Sequence, residues 1–427
     1  MTLFIFVGSL LAAMALGIPI AFALLISGVA LMLHMDMFDA QILAQNVVNG
    51  TDSFPLLAIP FFMLAGEIMN VGGLSQRIVQ LAMRLVGHKR GGLGYVTILA
   101  AVLMAALSGS AVADTAALAV LLLPMMVKAG HDKARAAGLI ASAGIIAPII
   151  PPSIAFVIFG VAANVSISKL FMAGIVPGLM MAVALAFTWA WVAQRENVEP
   201  PPKATRAEVM VALKESVWAL FLPVIILVGL KFGIFTPTEA GVVAAVYALA
   251  VSVFVYRSLG WREVREVLTS AAKTTSVIMF LVAAAMVSAW LITVADIPSD
   301  MIRLLEPVMG NQTLLMLSIM LLIVVIGTAM DMTPTVLIMT PVLMPVVREA
   351  GIDPVYFGVL FVMCNVIGLL TPPVGTVLNV VAGAGRMKLD AVARGVLPFM
   401  AAQVTVMLLL VFFPALVTVP ARWLSGS

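Results

Sequence analysis

The stretches GLIASAGIIAPIIPPS (138–153) and GLLTPPVGTVLNV (368–380) decide how this chain folds. Each sets a proline doublet, Pro151 and Pro152 or Pro372 and Pro373, inside a run apolar enough to cross a bilayer. Proline removes a backbone donor and frees carbonyls one turn earlier. In hydrocarbon, freed groups persist only where protein, water or a ligand takes them up. Both stretches therefore read as membrane helices broken at a working site. The first break lies around Ala147, Pro148, Pro151, Pro152 and Ser153, the second around Gly368, Thr371, Pro372, Pro373 and Gly375.

The rest of the chain suits that reading. Of 427 residues, 63% are hydrophobic and only 10% charged, a balance that a water-facing surface does not tolerate. Spans of about twenty residues are expected over 54–71, 136–166, 168–193, 216–233, 238–257, 272–294, 354–385 and 396–420. Residues 3–34 read as two short spans parted near Gly17 and Pro19. Two regions fit no single span: 93–127, interrupted by Ser108, Gly109 and Ser110, and 312–347, interrupted around Gly327, Thr328 and Asp331. Both read as helical hairpins that enter the membrane and turn back at a polar tip. Residues 36–50 and 258–270 read as interfacial arm helices.

Basic residues set the orientation, because Lys and Arg collect in cytoplasmic loops. Arg77, Arg84, Lys89 and Arg90 precede the first hairpin and Lys128, Lys133 and Arg135 follow it, so both its ends are expected in the cytoplasm. Arg195, Lys203, Arg206 and Lys214 mark a second basic loop over 194–215. The second hairpin, flanked only by Arg303 and Arg348, opens from the opposite side. Landmarks also recur at one spacing. Pro124, Ala129 and Gly130 return as Pro345, Ala350 and Gly351, and the doublet at 151 returns at 372. The prediction is an all-α polytopic membrane protein of two inverted repeats, 1–193 and 216–427, with both chain ends outside.

Carbonyls freed by proline, with nearby Ser and Thr hydroxyls, are hard oxygen ligands suited to a small cation. Two such breaks facing Ser/Thr/Gly tips suggest paired Na⁺ sites flanking a central solute, with helix N-termini offering N–H groups to an anion. Asp114 and Asp331 lie at membrane depth, where a carboxylate is costly, and read as coupling, gating or helix-capping groups. Glu67 reads as a partner in a scaffold contact. The single cysteine, Cys364, and three histidines, His34, His88 and His131, give no metal-centre pattern. No nucleophile and base constellation and no Gly-rich phosphate loop with a Lys is present, which argues against an enzyme and against ATP as the driving force. A channel would carry charged rings or a filter loop; the hairpin-and-break pattern fits a carrier better.

With SGSAVADTAA (108–117) and MDMTPTVLIMTPVLMP (330–345) added to the two opening stretches, the chain resembles, over essentially its whole length, the large membrane subunit of tripartite ATP-independent periplasmic (TRAP) transporters. The resemblance implies an elevator-type carrier in the bacterial inner membrane that takes up an organic anion with Na⁺. The implied solute is a sugar acid such as 2,3-diketo-L-gulonate or a C4-dicarboxylate, with sialic acid carried by close relatives. Two partners are implied, a small four-helix membrane subunit and a periplasmic solute-binding protein. Carried onto this sequence, the cation sites fall at Ser108, Ser110, Gly144 and Pro148 in one half and Gly327, Thr328, Gly368 and Thr371 in the other. Asp114, Thr115, Ser153, Asp331, Thr333, Thr335, Thr376 and Asn379 are the candidates for solute contact or gating. Proton coupling remains the alternative driving force.

Overall fold

In a hydrocarbon environment each backbone N–H and C=O must be paired inside the protein, and a helix pairs them within its own segment. The computed structural model of the chain uses that solution throughout: the described residues, 2–196, 198 and 200–425, form twenty α-helices joined by short connections. Met1, Asn197, Glu199, Gly426 and Ser427 fall outside them, so the outer ends of the two expected repeats and two positions of the expected 194–215 loop are not described.

The first half runs α1 (Thr2–Ala15), α2 (Ile20–His34), α3 (Ala40–Thr51), α4 (Ala58–Val71), α5 (Leu74–Val86), α6 (Gly92–Ser108), α7 (Ala111–Lys128), α8 (Lys133–Gly144), α9 (Ile154–Ala163) and α10 (Ile167–Ala193). The second half runs α11 (Arg206–Lys231), α12 (Pro237–Ala250), α13 (Trp261–Val294), α14 (Ile297–Met309), α15 (Gln312–Gly327), α16 (Met332–Glu349), α17 (Pro354–Gly368), α18 (Thr376–Gly385), α19 (Leu389–Phe412) and α20 (Ala415–Ser425). The helices α7, α8, α9 and α10 begin at 111, 133, 154 and 167, and α16, α17, α18 and α19 at 332, 354, 376 and 389, an offset of 221 or 222 throughout.

Seven helical segments among the described residues are long and apolar enough to cross a membrane. Large apolar side chains stand exposed on the outside, among them Phe4, Phe187, Phe254 and Val246. That surface suits lipid and not water. Inside, small residues let backbones touch, as is usual where helices pack in a bilayer. Gly138 of α8 rests directly on the backbone of Gly395 in α19, and Gly395 rests on the carbonyl of Ala134. Trp189 of α10 is fully buried and donates from Nε1 to the Gly91 carbonyl at 2.7 Å, tying α10 to the start of α6.

Four boundaries depart from the sequence expectation. The arm expected over 258–270 is no separate segment: it runs unbroken into the following span as α13, because no Gly or Pro interrupts 261–294. The loop expected over 194–215 is helical from Arg206, since Thr205 and Glu208 close a reciprocal cap at the start of α11. The span expected over 396–420 begins earlier, at Leu389, and stops at Phe412. Pro414 follows, and α20 begins afresh. The strongly amphipathic α5 and α14 lie outside every expected span and hairpin. Residues 3–34 do separate into α1 and α2, with Gly17 at φ +78° in the turn.

The Thr205–Glu208 cap carries a pH dependence. The Thr205 backbone N–H and then its hydroxyl hold the Glu208 carboxyl below its ordinary range, desolvation opposes them, and the Arg84 guanidinium adds the least. A carboxylate depressed in the folded state stabilises above its unfolded pKa and loses that effect as pH falls through the folded pKa. Glu208→Gln is therefore expected to melt slightly below the native chain at neutral pH, and the two melting curves should converge under acid conditions. A constant gap at every pH would assign the loss to something other than the charge.

Candidate transport site

Each hairpin turns where its sequence runs out of apolar residues. At the first tip α6 ends at Ser108, Gly109 adopts φ +63°, and Ser110 caps α7 by accepting from the Ala113 N–H at 3.4 Å. The Ser108 hydroxyl donates to the Asp114 carboxylate across the tip, and the Ser110 N–H donates to Ser108 Oγ at 3.3 Å. At the second tip α15 ends at Gly327 and α16 begins after Asp331. The Asp331 side chain caps nothing there.

The two proline breaks lie against these tips. In the first, Ser153 caps α9 by accepting from the Phe156 N–H at 3.2 Å and donates to the Pro148 carbonyl at 2.6 Å. The Pro152 carbonyl sits against Gly109, so closely that no side-chain carbon fits between them. Thr115, one turn into α7, presses on Gly144 at the end of α8. In the second, the Val374 N–H donates to the Thr328 carbonyl at 3.3 Å, and Gly327 and Gly368 meet backbone to backbone. Pro151–Pro152 and Pro372–Pro373 are both cis peptides.

The structure thus brings Ser108, Ser110, Pro148 and Ser153 together at one tip, with Gly144, Asp114 and Thr115 beside them. It brings Gly327, Thr328 and Gly368 together at the other, with Thr371 one turn beyond the end of α17. Several candidate hydroxyls are already engaged with their own helix: Thr371 donates to Ile367 O at 3.1 Å, Thr335 to Asp331 O at 2.9 Å and Thr328 to Val325 O at 2.8 Å. Any role for these three at a ligand runs through their carbonyls or a rotated hydroxyl. Thr333 is half-buried in the first turn of α16. The Thr376 hydroxyl is buried without a partner among the described residues, and Asn379 reaches back across the second break to the Val374 carbonyl at 2.5 Å.

The halves interlock. The helix α7 packs on α18, and α9 packs on α16. Leu123 of α7 meets Gly385 at the end of α18. Arg348 at the end of α16 donates to the Ala163 carbonyl at the end of α9 at 2.8 Å, complementing the negative end of that helix. The first break is sealed, with 145–155 buried throughout, whereas Pro372, Pro373 and Val374 of the second are exposed. Glu67 accepts from Ser270 at 3.2 Å, a contact between α4 and α13. A cavity of about 980 Å³ lined by Arg84, His88, Met125 and Glu208 contains none of the candidate residues.

Sequence reading missed one buried polar side chain at the site. Asn365, in the last turn of α17, is fully buried; its Nδ2 donates to the Met332 carbonyl at 3.4 Å, and its Oδ1 has no partner among the described residues. Its signal was a lone amide inside the run FVMCNVIGLL, residues 361–370.

A helical chain with this many apolar spans and a buried polar centre is a multi-pass membrane transport protein. The solved YdaH transporter of Alcanivorax borkumensis has the same fold, with a TM-score of 0.63 at 15% identity over 88% of this chain and 89% of that one. The family model described as the DctM component of the tripartite ATP-independent periplasmic transporter matches residues 7–416, and the chain belongs to that family. The 2,3-diketo-L-gulonate TRAP transporter large permease of Escherichia coli is 58% identical over 425 residues, covering 100% of both chains. The sialic acid TRAP transporter large permease of Vibrio cholerae is 37% identical over 398 residues, 93% of each. The chain is accordingly a TRAP transporter large permease subunit, a transporter component and not an enzyme.

Proposed function

We propose that this subunit carries a small sugar acid across the bacterial inner membrane, coupled to Na⁺ and moving by an elevator mechanism. Its two halves act as inverted repeats with both termini periplasmic. A small four-helix membrane subunit and a periplasmic binding protein that delivers the solute complete the assembly. The relative named for 2,3-diketo-L-gulonate, at 58% identity over its full length, supports a sugar acid ahead of a C4-dicarboxylate. The observation that carries the mechanism is the doubled site: two proline breaks, each closed by a hairpin tip, with α7 lying on α18 and α9 on α16. Backbone carbonyls and hydroxyls gathered there suit a weakly held monovalent cation. The N-termini of α9 and α18 carry positive dipole ends suited to a solute carboxylate.

A specific observation favours the second reading, proton coupling: Asp114 is 1% exposed, takes the Ser108 hydroxyl on one oxygen and has no partner on the other among the described residues. One experiment separates the two. Proteoliposomes holding the chain and its small subunit, given loaded binding protein, should accumulate labelled sugar acid under an inward Na⁺ gradient and not under K⁺, with or without a protonophore. Uptake that ignores Na⁺ but collapses with the protonophore would transfer the coupling to Asp114.

A further inference from the structure

Of the side-chain oxygens at the tips and breaks that lack a partner among the described residues, two belong to neutral, fully buried residues. Thr115 Oγ1 and Asn365 Oδ1 both belong to residues with no exposed surface, and neither has a hydrogen-bond partner among the described residues. Burying such a group unpaired costs about 1–3 kcal/mol. In folded proteins an orphan of this kind calls for an ion, a water or a working role.

Their positions correspond. Thr115 lies in the first turns of α7 and presses on Gly144, the last residue of α8. The 221-residue offset that relates α7 to α16 and α8 to α17 converts Thr115 to Val336 and Gly144 to Asn365. In the first half the hairpin supplies the oxygen and the broken helix is bare. In the second half the hairpin supplies a buried valine and the broken helix supplies the oxygen. Asn365 Nδ2 is held by the Met332 carbonyl in the first turn of α16, which leaves Oδ1 directed toward Gly327: a side-chain carbon on that glycine would sit 3.3 Å from it. The polar group has changed sides of one helix contact, and each half keeps one neutral oxygen at the seam between its hairpin and its broken helix. A conserved packing role would not require an oxygen in either place, since Val336 shows that this contact also accepts an apolar side chain.

We propose that Thr115 Oγ1 and Asn365 Oδ1 are side-chain ligands of the coupling cations, one in each half. The assignment rests on the sodium reading above. A hydroxyl and an amide carbonyl bind a hard monovalent cation without losing a proton, so neither site needs a carboxylate.

The test is Na⁺-dependent stabilisation of the full chain in nanodiscs, read as melting temperature while Na⁺ replaces K⁺ at constant ionic strength. Thr115→Val and Asn365→Leu should each raise the Na⁺ concentration needed for half-maximal stabilisation by about tenfold or more, and Thr115→Ser should keep the native value. Asn365→Gly alone should lose the response at its site, and Asn365→Gly combined with Val336→Thr, which rebuilds the first-half arrangement, should restore it. A purely structural role, or a bound water in place of the ion, predicts lower melting temperatures in K⁺ with an unchanged Na⁺ midpoint, and no rescue; that result overturns the assignment. A native chain with no Na⁺ response overturns the sodium reading itself. If Thr115→Val or Asn365→Leu does not fold, Thr115→Ala and the Asn365→Gly variant with its Val336→Thr rescue carry the same test.

Discussion

Replacing Gly109 by valine is expected to bring solute uptake down about a hundredfold, with the protein still inserted. Two effects combine. Gly109 holds φ +63°, a conformation that costs other residues about 1–2 kcal/mol. Any side-chain carbon there also runs into the Pro152 carbonyl and Ser153 Cα, and overpacking of that kind costs about 1–3 kcal/mol. Opening the tip relieves the collision, so the penalty falls on the closed arrangement. About 3 kcal/mol against that arrangement corresponds to roughly a hundredfold in rate. Gly109→Ala should show a smaller loss in the same direction. Uptake by Gly109→Val at the native rate would mean that the tip does not need to close on the first break during transport.

The second large effect is on stability. Gly395→Leu places a branched side chain where the Ala134 carbonyl already touches the Gly395 backbone, and Gly138 offers no room on the other side. The α8 and α19 helices must then separate along their shared seam. The expected loss is about 3 kcal/mol or more, observed as failure to elute as a monodisperse species and a lowered melting temperature. Gly8→Leu is the matched control, because nothing lies within 4 Å of the position its Cβ would take. Equal behaviour of the two variants would contradict the direct helix contact.

The hairpins and breaks were legible because they violate local rules: polar tips at Ser108 to Ser110 and near Asp331 interrupt apolar runs, and proline doublets interrupt helices. Such violations stand out against an apolar background. What stayed hidden lacked contrast. The change in polarity near Lys273 marks where α13 changes environment, not where it ends, because polarity and helix continuity are separate properties. At the other end, hydropathy continues across Pro414 although the helix does not. The site followed the same rule. Ser153 and Ser108 carried recognisable context, whereas Asn365 acquires its meaning only from Gly327 and the Met332 carbonyl beside it. No window of neighbouring sequence contains those partners. Thr371, Thr335 and Thr328 show the converse: a hydroxyl in a suggestive motif spends itself on the preceding turn.

The crossing of α7 onto α18 and α9 onto α16 has a kinetic consequence. Each tip is braced by a helix that belongs to the opposite half, so a displacement begun at one tip is imposed on the other. On the proposed two-cation reading, a carrier built this way has no half-step in which one cation is released while the second site stays behind. Disabling a single site should therefore stall the entire cycle, and it should not yield a working transporter with half the ion stoichiometry.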